Sequence, residues 1–220
     1  MMQKKQARPL KSAGDRRRRK LSESDIFRMQ LPKNFWNAKE EGIKPENSDH
    51  KKYILKYVNN INKMYEENVG LGLWGKNGSG KTAMLSIVLK EARRWGYTAL
   101  FVRAEQIRSA EIDGTKFESK ISLIDRARTV DFLGIDDLGK EHRGESAYSV
   151  NLIHSIFRSR SDDRLPTIFT TNFAVTGQKF LDIYKSSLIE ILRECCQLIL
   201  VDGHDYRNER EDHIANLFAN

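Results

Sequence analysis

The octapeptide Gly75-Lys76-Asn77-Gly78-Ser79-Gly80-Lys81-Thr82 decides the fold of this chain. It matches G-x-x-x-x-G-K-[ST], a loop whose backbone N–H groups close around a polyphosphate. An apolar run at 69–74 precedes it and a helix-like run at 83–90 follows, which is the strand–loop–helix context that the motif requires. The pattern predicts that Lys81 reaches the β- and γ-phosphates of a nucleoside triphosphate and that the Thr82 hydroxyl binds Mg²⁺.

The composition of the chain predicts one large domain with a polar surface. It has 220 residues, of which 39% are hydrophobic and 31% charged. No apolar run approaches the roughly 20 residues of a membrane span, and no apolar segment follows the basic N-terminus as it would in a secretory signal. The two cysteines, Cys195 and Cys196, are neighbours, a spacing that suits neither a disulfide framework nor a zinc site. A reducing cytoplasm is therefore expected.

Positive charge is concentrated at the N-terminus. Residues 1–20 hold nine basic side chains and one acidic side chain, which accounts for the whole net charge of +8. The remaining residues hold 29 side chains of each sign and are neutral. A basic arm of this kind favours contact with nucleic acid or with an acidic protein surface. A disordered, solubilising leader has the same composition, so both interpretations stay open.

Predicted strands and helices alternate from residue 70 onward. A helix is predicted from residue 48 or 49, and the strands are predicted at 70–74, 98–103, 130–135, 167–171 and 198–201. Helices are predicted between them, to residue 95 and at 104–128, 145–160 and 177–195. Alternation of this kind is typical of a parallel sheet covered by helices on both faces. The predicted fold class is therefore α/β, a P-loop nucleoside triphosphatase with a five-stranded parallel sheet and a short N-terminal extension.

Polar side chains end two of the predicted strands. Asp136 and Asp137 follow the third strand, and Asn172 follows the fourth. Ligands of open parallel sheets bind outside the carboxyl ends of the strands, so these residues are expected beside the P-loop. Asp136 is predicted to hold Mg²⁺ opposite Thr82, and Asp137 to orient or deprotonate the attacking water. Asn172 is predicted to hold that water or sense the γ-phosphate, although an Asn can also cap a turn.

The order of the motifs indicates the kind of nucleotide. The loop lies on the first strand and the acids lie on the third, a layout typical of the additional-strand P-loop ATPases. The chain also lacks the Asn-Lys-x-Asp motif that reads guanine. The sequence therefore favours adenine, and ATP with Mg²⁺ as cofactors.

Further segments occur in an order that resembles a known family. They are Leu31-Pro32 with Phe35-Trp36, the helix at 50–65, the P-loop with its strand, Ile135-Asp136-Asp137-Leu138-Gly139, Pro166-Thr167-Ile168-Phe169-Thr170-Thr171-Asn172 and Gly203-His204-Asp205-Tyr206-Arg207. Together they resemble the AAA+ ATPases of the DnaC/DnaI/IstB type, over about residues 31–207. This family includes bacterial and phage loaders of the replicative helicase and ATP-dependent helpers of some transposases. The resemblance implies a RecA-like core, ATP and Mg²⁺, nucleotide-dependent self-assembly and contact with single-stranded DNA.

The sequence departs from this family at the arginine finger, which reaches the ATP of a neighbouring subunit. By the simplest alignment Ile191 takes the place of the arginine, and Arg193 lies two residues later. Two residues turn a helix by about 200°, so Arg193 need not substitute. Arg193 is the candidate finger, with a surface ion pair as the alternative. Arg207, in the family's Tyr-Arg pair, is a second candidate for approaching the nucleotide.

The resemblance predicts a factor that loads a replicative DNA helicase onto single-stranded DNA in a bacterial or phage-infected cell. A transposition helper ATPase of the same fold, or an adaptor that binds ATP without hydrolysing it, remain alternatives. Residues 31–220 are predicted to form the AAA+ ATPase domain, and residues 1–30 a basic arm that is disordered or docks on a partner. The apolar set of the arm could form a short docking helix: Ile26, Phe27, Met29 and Leu31.

Overall fold

The computed structural model describes residues 16–46, 48–107, 109, 122–140 and 147–218. The strands are β1 (Gly70–Trp74), β2 (Ala99–Arg103), β3 (Phe132–Leu138), β4 (Thr167–Thr171) and β5 (Cys196–Leu200). The helices are α1 (Glu23–Arg28), α2 (Asp49–Asn59), α3 (Ile61–Glu66), α4 (Lys81–Arg94), α5 (Leu123–Thr129), α6 (Ala147–Asp162), α7 (Gln178–Cys195) and α8 (Tyr206–Phe218). Within these ranges no helix combines the length and apolarity needed to cross a membrane.

All five strands form one parallel sheet in the order β2-β3-β4-β1-β5. β4 lies between the P-loop strand β1 and the acidic strand β3, so a strand does separate the two motifs in space. The carboxyl ends of β1, β3 and β4 therefore meet at one edge of the sheet, where ligands of such sheets bind. The predicted α/β P-loop fold is confirmed.

Two hydrophobic cores lie on opposite faces of the sheet because successive side chains of a strand alternate. On β4, Ile168 packs with α2 and α4 on one face, and Phe169 packs with α6 and α7 on the other. Gly134 of β3 lets α4 approach closely, since a Cβ there would lie 2.7 Å from the Leu85 side chain. Helices on both faces of the sheet are thus confirmed.

The N-terminal segment packs on the domain from Arg16 onward. Arg18 pairs with Glu91 of α4 at 2.6 Å, and Arg19 pairs with Asp25 of α1 at 2.6 Å. The backbone N–H of Phe101 on β2 bonds to the carbonyl of Met29 at 2.7 Å. The predicted AAA+ domain begins at residue 31, and in the structure α1 before it also packs on that unit. Residues 1–15 lie outside the described part of the chain.

The predicted docking set of the arm is divided by the fold. Met29 and Leu31 are buried in the core beside α2 and α4, and Ile26 packs against that core. Phe27 alone of the four points outward, with 76% of its surface exposed. The arm thus uses most of its apolar surface to cover its own domain.

Arg160 of α6 links the amino ends of β3 and β4 through hydrogen bonds. It has 0% exposure, which is rare for a charged side chain. Its guanidinium donates to the hydroxyl of Thr167 and to four carbonyls, those of Ala127, Val130, Asp131 and Pro166. These bonds replace the water that the guanidinium and the strand ends lose on folding.

We expect Arg160→Met to lower the free energy of unfolding by at least about 3 kcal/mol, because several buried acceptors lose their donor and each unsatisfied group costs about 1–3 kcal/mol. Urea denaturation measures the effect. Arg158→Met is the matched control on the same helix. Arg158 is exposed and pairs with Asp162 at 3.6 Å, so its loss should cost less than about 1 kcal/mol. Equal effects of the two substitutions would contradict the role given to Arg160.

Candidate nucleotide-binding site

The P-loop connects the end of β1 to the start of α4. Gly78 and Gly80 have φ angles of 84° and 87°, which favour glycine. Space also requires glycine there: a Cβ on Gly80 would lie 2.8 Å from the Tyr206 ring, and a Cβ on Gly78 would lie 2.1 Å from the Asp205 carboxylate. The loop closes as the motif predicts, and α4 begins at Lys81, so its free N–H groups point toward the loop.

Lys81 lies inside the loop. Its side chain is buried, and Nζ donates to the carbonyls of Gly75 at 2.9 Å and Lys76 at 2.6 Å. Burial lowers the pKa of Lys81, while the nearby carboxylates of Asp137 and Asp136 oppose that change. The loop carbonyls therefore fix the position of the ammonium.

Asp136 joins the P-loop helix to two strands. Its Oδ1 accepts from the hydroxyl of Thr82 at 2.8 Å and from the hydroxyl of Thr170 at 2.7 Å. Burial raises the pKa of this carboxyl, and the two hydroxyl bonds act against that rise. Thr82 keeps its oxygen lone pairs free while it donates its proton. The side chains of Thr82 and Asp136 thus present oxygen ligands at one point, the kind that Mg²⁺ prefers.

Asp137 turns away from Asp136 because its backbone is left-handed, with φ 59°. Its N–H donates to the Thr170 hydroxyl at 2.9 Å, and its carboxylate pairs with Lys140 at 2.7 Å. Both acids line a cavity of about 310 Å³ together with Thr82, Lys140 and Arg103. The two neighbouring acids therefore have different surroundings, one buried against hydroxyls and the other at the edge of a cavity.

Asn172 lies directly after β4, between the strands that carry the loop and the acids. Its Oδ1 is buried and has no hydrogen-bond partner among the described residues. A buried amide oxygen without a partner is costly, which marks the position as one that a ligand or a water would satisfy.

Arg193 lies away from its own P-loop. It is exposed near the end of α7. The next strand, β5, begins at Cys196, which pairs with Gly70 at the amino end of β1. The P-loop follows the other end of β1, about 13 Å along the strand at 3.3 Å a residue. Ile191 is buried in the core, so the two positions occupy different faces of α7. Arg193 therefore lies at the opposite end of β1 from its own P-loop.

Two contacts of the site were missed in the sequence. Thr170 was quoted only as part of the strand end, yet its hydroxyl links Asp136 to the backbone of Asp137. Tyr206 holds the P-loop from outside: its N–H donates to the Gly78 carbonyl at 3.0 Å. Its hydroxyl donates to the carbonyl of Gly42 at 2.8 Å. Both residues lie in the segments that carry the family resemblance, 166–172 and 203–207, and that position was the available signal. Arg207 next to it is exposed.

A P-loop after β1, an acidic pair on β3 and the inserted strand β4 define a P-loop domain of the additional-strand class. No family model matches the chain. The chain is similar in sequence to the replicative helicase loader DnaI of Bacillus subtilis (strain 168), with 29% identity over 128 residues. The matched region covers 55% of this chain and 40% of DnaI. The chain thus spans less than half the length of that curated relative.

Solved structures share the fold. The crystal structure of the DnaC helicase loader matches with a TM-score of 0.67 and 22% identity, over 78% of this chain and 100% of that one. The replication initiator DnaA, bound to AMPPCP and single-stranded DNA, matches with a TM-score of 0.60 and 20% identity, over 79% of this chain and 51% of that one. The resemblance drawn from the sequence is confirmed as a similarity: the chain shares its fold with the DnaC helicase loader and is similar in sequence to DnaI.

Proposed function

We propose that the chain binds ATP with Mg²⁺ and acts in the cytoplasm as a DNA replication factor that loads a replicative helicase onto single-stranded DNA. The observation that carries the proposal is the Thr82–Asp136 contact beside a closed P-loop, in a chain similar in sequence to a helicase loader. The structural match to DnaA, which is bound to AMPPCP and single-stranded DNA in its structure, agrees with both ligands.

The residues present fit a magnesium–nucleotide complex. The orphaned oxygen of Asn172 and the paired oxygens of Thr82 and Asp136 are the donors that such a complex needs at this edge. Bound Mg²⁺ would neutralise phosphate charge. Lys81 binds phosphate oxygens through its ammonium, and Thr82 and Asp136 hold the metal. Asn172 fixes the position of the γ-phosphate or of the attacking water.

Asp137 is the residue that orients or deprotonates the attacking water. Its carboxylate lines the cavity that Thr82 and Asp136 also line, so it faces the same space from a different direction. Its ion pair with Lys140 is half-exposed and therefore weak enough to exchange for a water contact. Hydrolysis is the step that needs this carboxylate, whereas binding does not.

We expect Asp136→Asn to weaken Mg²⁺-dependent ATP binding and Asp137→Asn to leave binding intact but slow hydrolysis. Both substitutions keep the local structure: Asn at 136 can still accept from Thr82 and Thr170, and Asn tolerates the left-handed backbone of 137. ATP titration with and without Mg²⁺, combined with phosphate release, separates the effects. If both variants lose only binding, the division of roles between the two acids is wrong.

Assembly is part of the proposal, because Arg193 can act only on the nucleotide of a neighbouring subunit. An ATP-dependent homo-oligomer places the exposed end of α7 against the P-loop of the next copy. The alternative of a non-hydrolysing adaptor is supported by one observation: Ile191, where the family has the finger, is buried in the core and has no charge to offer.

The basic arm is proposed to bind single-stranded DNA. Arg18 and Arg19 already pair with acids of the domain, and Arg16 lies 3.9 Å over the Tyr97 ring. The arm residues outside the described part still carry Lys4, Lys5, Arg8 and Lys11 against one acid, Asp15. These three lysines and one arginine are the cations that we propose contact DNA.

We expect deletion of residues 1–15 to weaken binding of single-stranded DNA. The slope of log affinity against log salt concentration should become shallower by about 0.7 for each lost phosphate contact. ATP binding should stay unchanged. This deletion is sharper than removal of residues 1–20, which would also break the ion pairs of Arg18 and Arg19 with the domain. A truncated protein with the full-length salt slope would show that the arm serves as a solvated leader or binds a protein.

Co-purification with a candidate replicative helicase, with and without ATP, tests the proposed function. Recovery of the helicase that depends on ATP and is lost in Lys81→Ala supports a loader. Recovery of an integrase-type transposase instead would favour the transposition helper. Binding of the helicase with ATP but without measurable phosphate release would favour the adaptor.

A further inference from the structure

The two cysteines of the chain lie side by side in space as well as in sequence. Cys195 ends α7 and Cys196 begins β5. Their sulfur atoms are 3.8 Å apart, close enough for one thiol to donate a hydrogen bond to the other. Both cysteines are free and partly exposed. Neither thiol takes part in the proposed binding or hydrolysis of ATP, so the pair is available for other chemistry.

The two thiols have different surroundings. The Cys196 sulfur lies 3.7 Å from the carbonyl of Thr167 and packs against Gly70, where a Cβ would be only 2.8 Å away. The hydrogen bond from Cys196 lowers the pKa of Cys195, and the positive charge of Arg160 acts in the same direction against the effect of burial. The same hydrogen bond, together with burial, raises the pKa of Cys196. Cys195 is therefore the thiol that ionises first, and the thiolate is the nucleophile.

We propose that Cys195 and Cys196 are a peroxide-sensitive modification site, at which a reversible disulfide displaces the end of α7 that carries Arg193. Adjacent Cα atoms are about 3.8 Å apart, whereas residues joined by a disulfide are usually about 4.4–6.8 Å apart. The bond is therefore strained and readily reduced, which is typical of regulatory disulfides and not of structural ones. A transient bond of this kind agrees with the reducing compartment expected from the sequence.

Oxidation proceeds in two steps, with a hydroperoxide as the oxidant. The Cys195 thiolate attacks one oxygen of hydrogen peroxide: an S–O bond forms, the O–O bond breaks, and the departing hydroxide takes up the proton that Cys195 lost. The Cys196 sulfur then attacks the sulfenic acid: an S–S bond forms, the S–O bond breaks, and the departing hydroxide takes up the Cys196 proton. Two thiols are oxidised and one peroxide is reduced to two waters. A small cellular thiol returns the pair to the reduced form by thiol–disulfide exchange.

The disulfide disturbs the junction because Cys196 holds α7 and β5 together. The sulfur atoms must approach from 3.8 Å to about 2.05 Å. The Cys196 N–H donates to the carbonyl of Leu192 at the end of α7, and Cys196 pairs with Gly70 in the β5–β1 ladder. Pulling Cys196 toward Cys195 weakens both contacts, and Arg193, which directly follows Leu192, moves with them. Slower ATP hydrolysis in the assembled protein should follow. This consequence rests on the proposed function, whereas the disulfide itself does not.

Mass spectrometry of the full chain treated with hydrogen peroxide tests the site. Cleavage after Arg193 and Arg207 gives a fragment, residues 194–207, that contains both cysteines and no methionine. In the monomer this fragment should lose two hydrogen atoms and both thiols in a single step, and dithiothreitol should restore it fully. Cys196→Ser should stop at a sulfenic acid that dimedone traps. Cys195→Ser should react at least about tenfold more slowly, because the remaining thiol is less ionised.

Hydrogen exchange and phosphate release measure the displacement of α7. After oxidation the amides of residues 192–197 should exchange at least about tenfold faster, while those of α4 should stay unchanged. Phosphate release by the assembled protein should fall to the rate of the Arg193→Ala protein. Cys195→Ser treated with the same peroxide is the matched control for oxidation of methionines, and it should keep its rate.

Several results would overturn the proposed site. They are thiols that survive peroxide, oxygen atoms added to Cys195 in place of an S–S bond, a disulfide between two chains, and faster reaction of Cys196 than of Cys195. Unchanged hydrogen exchange at residues 192–197 after complete disulfide formation would overturn the displacement. A reduced wild type that releases no phosphate would contradict the proposed function alone, since the mass and exchange measurements decide the site without ATP.

Discussion

Replacing Lys81 with alanine should abolish ATP binding while the domain stays folded. Lys81 is the side-chain cation that we propose binds the phosphates, and removing a partner of a desolvated charge contact costs about 2–5 kcal/mol. The structure adds that its ammonium also bonds the carbonyls of Gly75 and Lys76, so the loop should become looser. Calorimetric titration with ATP and Mg²⁺ measures the loss.

Folding of the Lys81→Ala protein should be retained because the glycine backbone and α4, packed against the sheet, shape the loop region. A thermal melt checks this. Lys179→Ala, an exposed lysine of α7, is the control and should bind ATP like the wild type. Unchanged nucleotide affinity of the Lys81→Ala protein would rule out the assignment of the site.

Replacing Arg193 with alanine should reduce ATPase activity only where the protein assembles. A cationic finger stabilises charge on the transferred phosphoryl group, and its loss costs about 10³–10⁵ in rate. Arg193 is exposed at the opposite end of β1 from its own P-loop, and in the proposed assembly it acts on the nucleotide of a neighbour. Phosphate release should be followed across protein concentration, since below the assembly range the variant and the wild type should be equally slow.

Mixing provides the control for the Arg193→Ala protein. An Asp137→Asn protein cannot hydrolyse ATP efficiently but still supplies Arg193, so it should partly restore turnover by the Arg193→Ala protein. If the variant matches the wild type in the assembled state, the finger is elsewhere. Arg207 would be tested next, and then an arginine of the partner protein.

The sheet could be predicted closely where apolar strands end in strong turn signals. β1 and β4 have the predicted bounds. β3 runs from Phe132 to Leu138 rather than from 130 to 135, because Asp136 pairs with Arg103 of β2 and Leu138 pairs with Thr171 of β4 beyond an irregularity in the ladder. The predicted helix at 50–65 is divided at Asn60, and α7 is interrupted at Lys185, where φ is 62°. Such breaks depend on tertiary contacts that periodicity cannot record.

The ends of the chain were the least predictable. α8 has too few apolar residues for a periodic signal, so it was not predicted. The packing of Arg18 and Arg19 was hidden because a run of arginines has the same composition whether it is solvated or paired. Glu91 and Asp25, their partners, are buried acids, and only the structure reveals that burial.

Some residues of the candidate site could be predicted from sequence motifs, and the contacts of others could be explained only from the order of strands in the sheet. Thr82 and Asp136 could be joined in advance because a P-loop and an acidic strand end must meet at the same edge. Asn172 was predicted there from its place at the end of the fourth strand, whereas the contacts of Thr170 became interpretable once β4 was found between the two strands. Arg160 and its carbonyl partners are a packing feature for which spacing gives no signal.

The central claim is that ATP binding at this site allows a replicative helicase to be placed on single-stranded DNA. The most direct test measures the helicase of the source organism on circular single-stranded DNA coated with single-strand-binding protein. Unwinding of an annealed oligonucleotide should require the wild-type chain and ATP and should be lost with Lys81→Ala. Equal unwinding with the wild type, with Lys81→Ala and without the chain would contradict it.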